Sequence, residues 1–108
     1  MTLSTRAEIS KEAIIDNLKR LTNQTYKLLP NREEALDWET PLHTIIEEIS
    51  GMSRLMIDYN QIFFTLLCKL EGLYDLQKEE DFFFYRRTIF ECLNLLSNLK
   101  DEVAKCQD

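Results

Sequence analysis

Glycine and proline are scarce here, with two of each in 108 residues. A sandwich or barrel turns the chain many times and needs those residues at its turns, so their scarcity excludes both architectures and favours long helices joined by short links. Histidine occurs once, at His43, which leaves few general bases and no nearby partner for a nucleophilic cysteine. A glycine-rich phosphate loop and a Gly-x-Ser-x-Gly elbow are both absent. The three cysteines, Cys68, Cys92 and Cys106, form no C-x-x-C pair, so no zinc site is expected. Cys68 and Cys92 read as small core residues and Cys106 as an exposed thiol, a set that fits a reducing compartment. No apolar run reaches the roughly 18 residues of a membrane span, and residues 1–6 lack the apolar core of a signal peptide. A cytoplasmic protein with no membrane contact is the expectation.

What the chain does contain is apolar periodicity. With 44% hydrophobic and 30% charged residues it has the composition of one globular domain, residues 1–108. Ile14, Leu18, Leu21, Thr25 and Leu28 recur at steps of four and three, which predicts a first helix from about residue 9 or 10 to 29, with Pro30 as its stop. Thr5 with Glu8, or Ser10 with Glu12, supplies capping chemistry. Asn31 and Glu34 suggest a short helical turn through Leu36. Thr40 before Pro41 then reads as the start of a second helix, whose face is Leu42, Ile45, Ile46, Ile49, Met52 and Met56. Gly51 lies within it, which suggests close approach of another helix or a bend. Asp58 and Gln61 suggest a cap for a third helix reaching residue 74 or 76. After a polar acidic connector at residues 77–81, a fourth helix extends to about residue 105. The predicted fold is all-α: an antiparallel four-helix bundle with a short helical turn between helices 1 and 2.

Residues 62–76 and 82–103 are apolar around more of their circumference than one core requires. In the fourth helix Phe82, Tyr85, Ile89, Cys92, Leu96, Leu99 and Val103 form the seam. Phe83, Phe90 and Leu93 widen the arc, while Phe84 and Leu95 fall among polar residues. Phe64 and Cys68 extend the third helix in the same way. Surface of this kind meets another copy, a partner or a central position inside a tight bundle, and on the first two readings the candidate interface is Trp38, Phe64, Phe83, Phe84, Phe90 and Leu95. Trp38 can equally close one end of the core.

Charge narrows the partners. The formal net charge is −6, yet residues 1–32 carry six basic and three acidic side chains, against seven and sixteen in the remainder. An acidic body disfavours phosphate backbones and anionic lipid, although the basic first helix and Arg86–Arg87 beside aromatic residues leave a nucleic-acid-binding subunit as an alternative. His43 with Glu39 and Glu47 forms at best an i,i+4 pair, because Glu39 precedes Pro41. A metal-dependent helical nucleotide hydrolase needs carboxylates converging from neighbouring helices. Glu34 and Asp37 alone have a fitting spacing, and they lie in a connector. No enzyme, cofactor or metal is therefore expected. The favoured function is a noncatalytic helical protein, self-associating, that binds and regulates or inhibits a larger protein. By analogy, an acidic bundle could serve as a bacterial or phage inhibitor of nucleic-acid-handling machinery.

Overall fold

The computed structural model describes residues 10–105. Within them the chain forms four packed helices, α1 (Lys11–Glu33), α2 (Glu39–Leu55), α3 (Asn60–Gly72) and α4 (Phe82–Lys105), with short 3-10 turns at Ile57–Tyr59, Leu73–Asp75 and Glu79–Asp81. No strand occurs among the described residues. The two longest helices, α1 and α4, pack most extensively on each other, while α2 bridges α1 and α3, and α3 returns the contact to α4.

The apolar steps read from the sequence are the buried lines, except that Ile46, Met52 and Phe82 are only partly buried against the core. Ile14, Leu18, Leu21, Thr25, Leu28 and Leu29 face inward from α1, and Tyr85, Ile89, Cys92, Leu96, Leu99 and Val103 from α4. Leu42, Ile45 and Ile49 join them from α2, with Phe63, Leu66 and Leu70 from α3. Burying such side chains contributes about 1.5–3 kcal/mol each. The buried Thr25 hydroxyl is satisfied by donating to the Leu21 carbonyl at 2.8 Å. Ser10 caps α1, its hydroxyl accepting from the Ala13 amide at 3.1 Å. The Thr5 cap and Cys106 fall outside the described residues.

Pro30 does not stop α1 but lies inside it, and the helix continues to Glu33. The missing amide removes one bond near the end, where few turns remain to be disrupted. No separate helical turn follows. Instead, the Ala35 amide donates to the Arg32 carbonyl at 3.1 Å and the Leu36 amide to the Asn31 carbonyl at 2.7 Å. This pair of bonds is a Schellman ending, with Ala35 at φ 58° in the left-handed position usually held by glycine.

The start of α2 also shifts. Asp37, not Thr40, supplies the capping oxygen, accepting from the Glu39 amide at 3.1 Å and the Thr40 amide at 3.2 Å. Bonding from the Thr40 hydroxyl, then from that amide, holds the Asp37 carboxyl below its ordinary range. Gly51 is not a point of close approach, because a Cβ there would meet nothing within 4 Å. The third helix ends at Gly72, earlier than its apolar pattern suggests, and the 3-10 turn carries buried Leu73 into the core. Cys68 is exposed rather than buried, while Cys92 is buried and its thiol is pushed up to about 12 by burial.

Candidate interaction surface

One end of the molecule absorbs a cluster of aromatic residues. Tyr85 is fully buried, and its hydroxyl donates to the Leu28 carbonyl at 3.5 Å. Burial raises that hydroxyl well above the usual tyrosine range, the opposing pull of Arg32 being smaller. Trp38 meets Tyr85 edge-on at 5.0 Å between ring centroids and stacks on Tyr74 at 6.5 Å. The Arg32 guanidinium lies 4.3 Å from the Tyr85 ring centroid, 5.5 Å from Phe82 and 5.8 Å from Trp38. Its N–H groups donate to the Leu76 carbonyl and, at 2.7 Å, to the Lys78 carbonyl. One side chain thus ties the end of α1 to the link before α4.

A cleft of about 680 Å³ opens over this joint, lined by Arg32, Glu33, Trp38, Gln77, Glu79 and Phe82. Arg32 is committed to two carbonyls and three rings. The cleft therefore gains little chemistry from its cation, and its joint serves the fold.

The remaining candidate residues divide between inside and outside. Phe64 is 69% exposed, Phe83 66%, Phe84 54% and Phe90 38%. Leu95 and Trp38 are partly buried and packed against the core. On α4, Phe83 and Phe84 touch at 5.6 Å between ring centroids, and the Arg86 guanidinium lies 4.9 Å from that of Phe90. These are two separate contact pairs, which line up along the outer side of α4 as a strip of three exposed rings and one cation. Phe64 occupies the outer side of α3, beside Asn60, Gln61 and Thr65. Tyr26, Leu36 and Ile57 are further exposed apolar residues absent from the sequence-derived set. Tyr26 could have been found by projecting α1, since it falls outside the apolar stripe. Leu36 and Ile57 lie at helix ends and carry no periodic signal.

Ion pairs join the helices beside these surfaces. Lys69 on α3 meets Glu91 on α4 at 3.0 Å, and Arg87 reaches the same carboxylate at 3.6 Å. The Lys69 hydrogen bond is the chief cause of the lowered Glu91 pKa. Arg20 and Glu48 link α1 to α2 at 2.6 Å. His43 and Glu47 form an exposed pair at 3.3 Å, and among the described residues no group of three or more His, Cys, Asp or Glu side chains is arranged to hold a metal ion. No helix of the described residues is long and apolar enough to cross a membrane.

No family model, curated protein or solved structure matches this chain. Its functional reading rests on the residues themselves.

Proposed function

We propose that this protein is a noncatalytic interaction module, an antiparallel four-helix bundle that self-associates and binds a larger protein to regulate or inhibit it. The observation that carries this reading is the exposure of Phe64, Phe83 and Phe84, each more than half accessible on a regular helix. The core closes without these rings, and aromatic side chains left on a surface supply large contact area at low cost in side-chain freedom. The direction of the helices is supported at one end, where the last turns of α1 meet the first turn of α4 through Arg32–Phe82 and Tyr85–Leu28. A nucleic-acid-binding role has less support, because Arg87 pairs with Glu91, Arg86 packs on Phe90 and the chain carries a formal charge of −6.

Affinity capture from the native cell, followed by mass identification, tests the reading. Wild-type protein should retain a stoichiometric protein partner that a folded Phe64→Ser, Phe83→Ser, Phe84→Ser variant does not. Identical recovery with both proteins, or none above control with either, would contradict it.

A further inference from the structure

The exposed strip at the start of α4 has a charge pattern that is its own complement. We infer that this strip docks on a second copy of itself about a twofold axis passing near Phe83. The inference deepens the reading of the chain as an interaction module and rests on it.

The order along the strip is acidic, aromatic, basic. Glu79 and Glu80 come first, Phe83 and Phe84 follow, and Arg86 and Arg87 close it, all six exposed. In an isologous contact, residue i of one copy meets residue j of the other and the reverse also holds. Laying two strips head to tail with Phe83 facing Phe83 brings Glu79 opposite Arg87 and Glu80 opposite Arg86. Both relations repeat on the other side of the axis, giving four opposite-charge pairs. Shifting the axis to place Phe83 against Phe90 would instead set Arg86 opposite Arg87, a like-charge arrangement.

Three of the four charged residues are unpaired, and the fourth, Arg87, meets Glu91 of its own helix at 3.6 Å with its side chain still largely exposed. Glu79, Glu80 and Arg86 form no ion pair among the described residues, and the Arg86 guanidinium is held by the Phe90 ring alone. Residues 78–87 carry three acidic and three basic side chains, so the strip is neutral within a chain of net charge −6. Two copies can approach here without the repulsion that their other acidic surfaces impose. Stepped at 100° per residue, Phe83, Arg87 and Phe90 lie on the side of α4 away from Tyr85, Cys92 and Val103, where a second helix can reach them.

Contact area sets the strength. Aromatic side chains present roughly 150–250 Å² each, so the 66%, 54% and 38% exposures of Phe83, Phe84 and Phe90 offer roughly 300 Å² per copy. A standard interface buries about 800 Å² per partner, so the charged rim must supply much of the rest, and a weak dimer is expected. The phenylalanines supply most of the affinity, and the charges fix the register.

Sedimentation equilibrium with reciprocal charge reversals tests the register. The wild type should dimerise reversibly below about 1 mM, the range of weak protein association. Glu79→Arg with Glu80→Arg makes one strip strongly basic, and Arg86→Glu with Arg87→Glu makes another strongly acidic. Each variant alone should dimerise at least about tenfold more weakly, and their equimolar mixture should form a 1:1 heterodimer at wild-type strength or above. Circular dichroism confirms that both remain helical. A wild type that stays monomeric to about 1 mM, a variant that self-associates as well as the wild type, or a mixture that stays monomeric would overturn the inference. Partner capture by a monomeric wild type would remove self-association, here and in the functional reading, and leave partner binding standing, whereas a rescued heterodimer without any captured partner would remove only the regulatory reading.

Discussion

Four consecutive aromatic residues, Phe82 to Tyr85, open α4 and meet two different fates. Tyr85 is wholly buried and Phe82 is half-buried beneath Arg32, while Phe83 and Phe84 stand in solvent. Both sides of the division are aromatic, and Phe82 and Phe83 are the same residue; helical phase makes the difference. At 100° per residue a run of four rings spans about 300° of the helix circumference, so it must place some outside whenever others reach the core. The buried pair builds the joint with Arg32 and Trp38, and the exposed pair belongs to the strip assigned to self-association. An aromatic run therefore reports stability or contact according to its register.

The largest expected effect comes from the buried side. Tyr85→Ala removes a filled core position and the hydroxyl bond to Leu28, and should destabilise by about 3–5 kcal/mol, read as the shift in urea midpoint. If Phe83→Ser, which should stay within about 0.5 kcal/mol, shifted the midpoint equally, the division between the two pairs would fail. Arg32→Ala comes next. It abandons two carbonyls and three ring contacts, and a loss of about 2–3 kcal/mol is expected, with Arg32→Lys between it and wild type because an ammonium cannot reproduce the guanidinium fork.

Two gains sharpen the same comparison. Ala35→Gly relieves a left-handed residue and Gly51→Ala adds a methyl group into open space within a helix, and each should stabilise by about 0.5–1 kcal/mol. Neither touches the strip, so the tendency to self-associate should stay unchanged while the urea midpoint rises. The smallest effect is the pH dependence of Asp37. Its depressed folded pKa contributes stability that is present above the ordinary aspartate value of about 4 and is lost as pH falls through the lower folded value. Asp37→Asn should flatten that acid limb slightly in a circular-dichroism titration, without altering the wild-type behaviour of the exposed rings.

Helix number and the buried lines were legible because burial selects one face and repeats every three or four residues. Ile14 to Leu28 and Tyr85 to Val103 show it directly. Helix ends were less legible, since they depend on single hydrogen bonds. Pro30 reads as a stop, but the Schellman bonds of Ala35 and Leu36 place the true end beyond it. Asp37 gives a weaker cap signal than Thr40–Pro41, although it is Asp37 that accepts from the Glu39 and Thr40 amides. Cys68 read as core on residue type alone, although its place beside exposed Phe64 on the helix argues otherwise. Arg32 gave no signal in the sequence, because its partners are backbone carbonyls 44 and 46 residues away. Phe64, Phe83, Phe84 and Phe90 were legible as an apolar excess. Their division between α4 and, for Phe64, α3 was legible too, whereas the degree to which each ring stands in solvent required the packed helices.

The central claim is that the outer rings of α4 serve association and the inner ones serve folding. Sedimentation and urea unfolding of one paired variant, Phe83→Ser with Phe84→Ser, test it most directly. The account predicts loss of the dimer with the unfolding midpoint within about 1 kcal/mol of wild type. Retention of the wild-type dimer, or destabilisation approaching that of Tyr85→Ala, would contradict it.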